Sequence, residues 1–204
     1  MPENFIHLQC HSEYSLVDGL LRIKPWIAQV TEFKMPAVAL TDQCNLFGTI
    51  KFYRAALAAG IKPIIGSDVW IENELERSNP YRMILLCQNH TGYINLANLI
   101  SRSYIEGQYQ GKPIIKKSWL SSAHSGLIAL ASAWHSDIAN HLKNGDQKLA
   151  KVFINYWLNV FADRFYLGIA RINRKGETEY LKQLVNVATI TSCPIVAINE
   201  VCFL

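Results

Sequence analysis

The chain has 204 residues, of which half are hydrophobic and 18% are charged, with a formal net charge of +4. This balance excludes an intrinsically disordered chain, and the charge is too small to demand nucleic acid as a partner. No apolar run approaches the ~18 residues of a membrane span, and the N-terminus lacks the basic-then-apolar order of a signal peptide. The five cysteines are odd in number and form no CxxC pair. We therefore expect a cytoplasmic protein with reduced thiols and no membrane partner.

Seven short apolar or β-branched runs are predicted to be β-strands, and helical patterns lie between them. Several runs are continuously apolar rather than alternating, as expected for a parallel sheet that is covered on both faces. The repeated order of strand and helix predicts a parallel α/β architecture, either a barrel or an open sheet. The predicted strands span residues 5–10, 37–42, 62–71, 81–87, 126–131, 164–170 and 194–199.

Five helices are predicted from apolar residues at helical spacing. The third is expected to begin at Thr91, because threonine is a common helix N-cap. The second is expected to have an apolar stripe of Ile50, Tyr53, Leu57 and Ala58. The first, fourth and fifth helices cover residues 24–33, 147–160 and 177–191, and polar loops are predicted at 73–79 and 107–112.

Polar side chains follow the ends of several predicted strands. A barrel gathers the C-terminal ends of its strands around one pit, where barrel sites lie, and this favours a barrel over an open sheet. The chain also stops at Leu204, directly after the seventh strand. We therefore expect a barrel truncated at its C-terminal end, as part of a longer protein. The strand-end residues are His11 and Ser12, Asp42 and Gln43, Ser67 and Asp68, and Asn199 and Glu200.

The densest group of titratable residues lies near the N-terminus. His7, His11, Glu13 and Asp18 fall within twelve positions, and neutral imidazole and ionised carboxylate are the ligands that a divalent metal needs. His7 and His11 are four positions apart, which puts them on one face of a strand. A hydrogen-bonded core histidine is the simpler interpretation of an isolated pair. The metal interpretation gains support from the carboxylates at other strand ends, Asp42, Asp68 and Glu200.

Three long stretches resemble one known family. They are FIHLQCHSEYSLVDGLLRI, MPAVALTDQCNLFGTIKFYRAALAAGIKPIIGSDVWI and LLCQNHTGYINLANLISRSY, and the similarity continues through GLIAL, DRFYLGIAR and PIVAINEVCFL. Over residues 1–204 the chain resembles the PHP (polymerase and histidinol phosphatase) domain at the N-terminus of the alpha subunit of bacterial replicative, C-family DNA polymerase III. The segment NHTGYINL is the most discriminating, since stand-alone PHP phosphatases are less similar there. The resemblance implies an α/β fold, a distorted seven-stranded β/α barrel that is TIM-like, with a multinuclear metal centre.

Several positions depart from the metal-binding pattern of this family. The first motif has Gln9 and His11 where two histidines are usual, and the second has Gln43 where a histidine follows Asp42. The histidine expected at the start of the fourth strand is Arg82, and the Cys or His expected after the fifth strand falls near Ala133.

The remaining positions keep residues that can bind a metal. Asp18 is present, Asp68 replaces the usual Glu, and the final Asp-x-His motif reads Glu200-Val201-Cys202. The resemblance therefore implies a vestigial site in which one residual divalent metal (Zn, Mn or Mg) is the most that remains. Arg82, whose guanidinium does not deprotonate, is expected to replace a cation by lying within salt-bridge reach of Asp68 or Glu200. The vestigial ligands are His11, Asp18, Asp68, Glu200 and Cys202, and the degenerate positions are Gln9, Gln43 and Ala133.

The function implied by the resemblance belongs to DNA replication in the bacterial cytoplasm. The parent chain resembles a DNA-directed DNA polymerase, a nucleotidyltransferase that uses Mg²⁺ on primer-template DNA, and its catalytic carboxylates are expected beyond Leu204. The PHP domain alone is expected to be inactive and to serve as a structural and docking module for the polymerase core, the proofreading exonuclease subunit and the rest of the holoenzyme. Two alternatives stay open. One is an active metal-dependent phosphoesterase (a 3′–5′ exonuclease or pyrophosphatase), and the other is a stand-alone enzyme similar to histidinol phosphatase.

Overall fold

A computed structural model describes residues 5–16 and 18–203. The chain forms two compact units: the first ends at Asp68 and is completed by the segment from Asn199, and the second is Val69–Ile198. None of the described helices is long and apolar enough to cross a membrane. In chain order the elements are β1 (Gln9–Cys10), α1 (Ile23–Glu32), β2 (Ala37–Leu40), α2 (Thr49–Ala58), β3 (Lys62–Ile71), β4 (Tyr81–Cys87), α3 (His90–Glu106), β5 (Gln108–Tyr109), β6 (Lys112–Ile115), α4 (Lys117–Ser122), β7 (Leu127–Ala131), α5 (Asp137–Lys143), α6 (Gln147–Phe161), β8 (Phe165–Ile169), α7 (Glu177–Thr191), β9 (Ile195–Ala197) and β10 (Glu200–Val201).

The first unit is held by two parallel strand pairs and two helices. β1 pairs with β10, with Gln9 opposite Glu200, and β2 pairs with the beginning of β3 over Lys62–Ile65. The helices α1 and α2 pack through Trp26 and Phe52, whose stacked ring centroids are 5.3 Å apart. Both side chains are buried, and burying side chains of this size contributes about 2 kcal/mol or more each. The remaining core of this unit includes Leu21, Ile23, Val30, Val38 and Leu40.

The sheet of the second unit is mixed, so the prediction of an all-parallel sheet is wrong. β7, β8 and β9 are parallel neighbours, and the end of β3 pairs in parallel with β6. β4 instead runs antiparallel to β7, from Met83 opposite Ala131 to Cys87 opposite Leu127. Both strands are buried along nearly their whole length. Continuous apolar runs indicate that a strand is covered on both faces, but they do not indicate its direction. This is why the pattern wrongly predicted a parallel sheet.

Each predicted strand overlaps a strand of the structure, but the first is reduced to the two residues of β1 and the last to the three residues of β9. Several short elements were not predicted. The segment predicted as a loop at 107–112 instead contains β5 and the first residue of β6, which pair as an antiparallel hairpin. The elements α4, α5 and β10 are additional. Two helix predictions are also corrected. The helix α3 begins at His90 with Asn89 as its N-cap, whose side chain accepts a hydrogen bond from the Gly92 N–H, so Thr91 is not the cap.

The apolar stripe predicted for the second helix does not face the core. In α2 the buried side chains are Thr49, Phe52 and Ala56, whereas Ile50 is 66% exposed and Leu57 is 53% exposed. The reason is that Phe52 and Ala56, four positions apart, form a second stripe on the same helix. The stacking of Phe52 on Trp26 turns this second stripe inward.

Candidate functional site

The polar residues predicted at the strand ends of the first unit come together in the structure. The parallel register sets Gln9 opposite Glu200, so His11 and Cys202, two positions further along, are also brought side by side. The Sγ atom of Cys202 lies 4.0 Å from Nδ1 of His11. An isolated bridge between Gln43 and Asp68 extends the pairing of β2 and β3 to the same cluster.

His11 is fully buried between two carboxylates. Its Nδ1 is 2.9 Å from Oδ2 of Asp18, and its Nε2 is 3.4 Å from Oδ2 of Asp68 without hydrogen-bond geometry. Burial by itself lowers the pKa of the imidazole, but the interactions with Asp18, Asp68 and Cys202 outweigh it and raise the pKa to about 12. Without a metal, His11 is therefore an imidazolium that neutralises part of the negative charge around it.

The two fully buried carboxylates are engaged by protein donors. Asp42 accepts hydrogen bonds from the Ser12 backbone N–H at 2.6 Å and from the Ser12 hydroxyl at 2.9 Å. Burial raises the pKa of Asp42, and the hydrogen bonds from Ser12 oppose that shift. Asp68 accepts a 2.8 Å hydrogen bond from the side-chain amide of Gln9. Protein groups thus occupy both oxygens of the Asp42 carboxylate and at least one oxygen of the Asp68 carboxylate.

Two serines complete the cluster: Ser12, which is one of the predicted strand-end residues, and Ser15, which sequence reasoning missed. Ser12 binds Asp42 as described, and the hydroxyl of Ser15 donates to Oδ1 of Asp18 at 2.8 Å while accepting from the Gln43 backbone N–H at 3.2 Å. Both lie in the turn between β1 and α1, between ligand-type residues. A serine so placed is a common carboxylate partner, and that proximity was the available signal.

Four of the predicted ligands form a group that could hold one cation. One ligand atom from each residue lies within 4.8 Å of the others. Imidazole, carboxylate and thiolate are together a donor set that suits Zn²⁺, while the carboxylates alone also suit Mn²⁺ or Mg²⁺. The donors therefore fit a single divalent metal. The residues of this group are His11, Asp18, Glu200 and Cys202.

The other members of the N-terminal group lie outside that set of ligands. Glu13 forms an ion pair of 2.9 Å with Lys51. His7 is partly buried, and its ring makes an edge-on contact with Phe5 at 4.9 Å between centroids. Burial lowers the pKa of His7, which suits a neutral core histidine better than an ionised one. Val17 lies outside the described residues.

Two predicted positions belong to the second unit. Arg82 is buried on β4, its guanidinium carbon is 5.8 Å from the centre of the Trp70 ring, and its backbone N–H donates to His135. Ala133 is buried after β7, and its carbonyl accepts a hydrogen bond from the Tyr180 hydroxyl. An alanine has no metal-binding atom in its side chain, so this position supplies no ligand. That Arg82 stands in for a cation stays a prediction.

Solved structures identify the class of fold. A protein described as a metal-dependent phosphoesterase from Bifidobacterium adolescentis superposes with a TM-score of 0.62 at 12% identity, over 97% of this chain and 87% of that one. An amidohydrolase from Chromobacterium violaceum gives a TM-score of 0.61 at 12% identity, over 98% of this chain and 88% of that one. At these identities the likeness concerns the fold alone. The chain is thus an α/β protein with the fold that these two solved structures share.

The sequence comparison is more specific. The PHP domain profile matches residues 7–172, and the chain belongs to the PHP domain family. Over all 204 residues it is 45% identical to the DNA polymerase III subunit alpha of Pseudomonas fluorescens, and over 200 residues, 98% of the chain, it is 38% identical to that of Escherichia coli K12. The chain spans only 17% of the length of either relative.

Proposed function

We propose that this PHP domain serves a bacterial replicative DNA polymerase as a structural and docking module, and that its own polar cluster is catalytically degenerate. The identity to alpha subunits along the whole chain supports the polymerase context over a stand-alone enzyme similar to histidinol phosphatase. The distorted seven-stranded barrel of the family is part of the same proposal. So are the partners: the polymerase core, the proofreading exonuclease subunit, the rest of the holoenzyme and, through the longer polymerase chain with its Mg²⁺, primer-template DNA, all in the bacterial cytoplasm.

The observation that carries the proposal is that the buried carboxylates of Asp42 and Asp68 already accept hydrogen bonds from other side chains and the backbone of the protein. A multinuclear phosphoesterase centre needs several free carboxylate oxygens to bridge its metals and activate a water between them. Here Asp42 is bound by Ser12 through both oxygens, and Asp68 is bound by Gln9. Hydrogen bonds to charged groups are worth about 1.5–3 kcal/mol each. A second metal would have to displace these donors, and Gln9 and Gln43 offer no imidazole in return.

A second candidate function rests on the group of His11, Asp18, Glu200 and Cys202. These residues would hold one divalent cation in a metal-dependent phosphoesterase. A bound cation there would supply Lewis-acid polarisation of a phosphoryl oxygen. The chain's own contribution would be to orient that ligand group, since Ser15 fixes Asp18 and the β1–β10 pairing fixes His11 beside Cys202.

Nuclease and phosphatase assays separate the two functions. The chain is offered a 3′-labelled oligonucleotide, p-nitrophenyl phosphate or pyrophosphate with Mn²⁺, Mg²⁺ or Zn²⁺, and we expect no turnover above background. His11→Ala is the test variant, and His90→Ala, at an exposed position on α3, is the matched control. Metal-dependent cleavage that is lost in His11→Ala and kept in His90→Ala would establish the phosphoesterase and overturn the degenerate site. Co-elution with the proofreading subunit tests the docking role.

A further inference from the structure

The outer face of α2 is apolar and has no partner within the described residues. Ile50 and Leu57 are exposed, and Phe47, just before the helix, is 69% exposed. At 100° per residue Ile50, Tyr53 and Leu57 share one side of the helix, away from the buried Phe52. Exposed large apolar residues are ordinary when scattered, but a contiguous row of them marks a contact surface.

Cations border this apolar row. A cavity of about 540 Å³ is lined by Lys24 from α1 and by Phe47, Ile50, Lys51, Arg54 and Ala55 from α2 and the turn before it. A second cavity, of about 560 Å³, shares Lys24 and Lys51 and adds Arg22, Pro25 and Glu13. We call the surface formed by these two cavities the α1–α2 groove. Helix-binding grooves have this character, with an apolar floor and charged borders.

The charges of the α1–α2 groove are not balanced locally. Four cations line it against one carboxylate, Glu13, which is already paired with Lys51. Within residues 5–16 and 18–203, Arg22, Lys24 and Arg54 form no ion pair. The groove therefore offers three exposed cations around an apolar floor.

We propose that the α1–α2 groove binds an acidic amphipathic helix of a partner protein. The inference rests on the proposed docking role and specifies its surface and the chemistry of its partner. Apolar side chains of the partner helix would cover Phe47 and Ile50, and its flanking carboxylates would pair with Lys24 and Arg54. Such complementarity speeds association and rejects partners of the wrong charge.

Other occupants fit the groove less well. A second copy of this chain would bring the same cations to the interface, and like charges placed together oppose association. A nucleic acid backbone would satisfy the cations but would leave the apolar row of Phe47, Ile50 and Leu57 in water. An acidic helix with an apolar face is the occupant that matches both features.

The test uses the 204-residue chain and synthetic peptides of about 18 residues, or five helical turns. One peptide places Leu at positions i, i+3, i+4 and i+7 with Glu beside them, a second replaces every Glu by Lys, and a third scrambles the first. Binding is measured by fluorescence anisotropy. We expect the acidic peptide to bind at least about tenfold more tightly than the other two. Its affinity should fall as salt rises from 0.1 to 1 M, where the screening length shrinks from about 10 to 3 Å.

Matched variants locate the binding surface. Ile50→Asp and Arg54→Glu should each weaken the acidic peptide about tenfold, and Arg54→Glu should strengthen the Lys peptide. Ile190→Asp and Lys148→Glu, at exposed positions on α7 and α6, are the controls and should change neither. Circular dichroism checks the fold of every variant. Because Arg54 is exposed, its charge reversal stays informative even where Ile50→Asp disturbs folding.

Several outcomes would overturn the proposal that the α1–α2 groove binds an acidic helix. These are equal binding of the acidic and Lys peptides, an equal loss in Ile190→Asp, or self-association of the chain that Ile50→Asp abolishes. Co-elution of the proofreading subunit with both wild type and Ile50→Asp, together with no peptide binding, would leave the docking role standing and reject the groove alone. Metal-dependent cleavage by the chain would instead contradict the proposal that the polar cluster is catalytically degenerate. The peptide experiments would still test the α1–α2 groove independently of that result.

Discussion

Gln9 donates its side-chain amide to Oδ2 of Asp68 over 2.8 Å, and both side chains are buried. The bond joins residues 59 positions apart, and Gln9 stands where the resemblance to the family leads us to expect a histidine. Gln9→Ala removes one donor from a buried carboxylate, which typically costs about 1–3 kcal/mol. We expect the free energy of unfolding to fall by that amount in urea titrations. Gln88→Ala, at an exposed position after β4, is the control and should stay within about 0.5 kcal/mol of wild type.

Introducing two histidines should raise the affinity for metal. In Gln9→His/Gln43→His the cluster gains two imidazoles close to His11 and Asp68, because Gln9 bonds to Asp68 and Gln43 bridges to it. We expect divalent metal to bind at least about tenfold more tightly than to wild type, on the scale of changes around metal ligands. Elemental analysis of protein purified without chelator measures the content, and titration with Zn²⁺ or Mn²⁺ measures the affinity. Arg82→His alone should raise neither the metal content nor the affinity for metal. A gain from that single change would contradict the expectation that several ligand positions, and not Arg82 alone, limit metal binding.

The N-cap of α3 gives a direct comparison between two neighbouring residues. Asn89 accepts the Gly92 N–H at 3.0 Å, whereas Thr91 is exposed inside the helix. Asn89→Ala should therefore lower the free energy of unfolding by about 1 kcal/mol, the usual cost of a lost cap. Thr91→Ala should leave it unchanged or raise it slightly, since alanine favours helix. A larger loss in Thr91→Ala than in Asn89→Ala would show that the helix is capped differently.

Asp137 predicts a pH dependence of stability in the second unit. Its carboxyl is buried, accepts the Trp157 indole N–H and the Ile138 backbone N–H at 2.8 Å each, and has its pKa raised by burial in spite of these bonds. A carboxyl with a folded pKa above its unfolded value stabilises the fold most when protonated, so its contribution falls as pH rises from about 4 through the raised pKa.

The variant Asp137→Asn isolates this contribution, because an amide does not titrate. The free energy of unfolding of wild type minus that of the variant should decrease between acid and neutral pH, as measured by urea titrations at several pH values. Asp146→Asn, at the more open N-cap of α6, is the control. A difference that stays constant or grows with pH would mean that the Asp137 carboxylate is better stabilised in the fold than its burial indicates.

The positions of the seven predicted strands followed from runs of apolar residues bounded by polar turns, although β1 and β9 are only two and three residues long. Strand direction was not predictable, since Tyr81–Cys87 is buried on both faces and would look the same in either orientation. The orientation of α2 could not be read either, because its sequence contains two apolar stripes and only the contact between Phe52 and Trp26 selects the inner one.

The candidate site was predicted from residue type more than from spacing. His11, Asp18, Glu200 and Cys202 do meet, and the resemblance to the family supplied their positions. The hydrogen bonds of Ser12 and Ser15 depend on the path of a turn, which no periodicity reports. The short strand β10, only two residues long, leaves no pattern of its own.

The pairing of β1 with β10 bears on the order of folding during synthesis. Gln9 cannot pair with Glu200 until about 190 further residues have been synthesised. At 5–20 residues per second this synthesis takes on the order of 10–40 s. The second unit is continuous in sequence from Val69 to Ile198 and needs no such wait. During that interval β1 presents an unpaired edge, which is the kind of surface that chaperones protect. The polar cluster is therefore among the last parts of the chain to assemble. Mutations that slow the pairing of β1 with β10 should reduce the yield of soluble protein more than they reduce the free energy of unfolding of the folded protein.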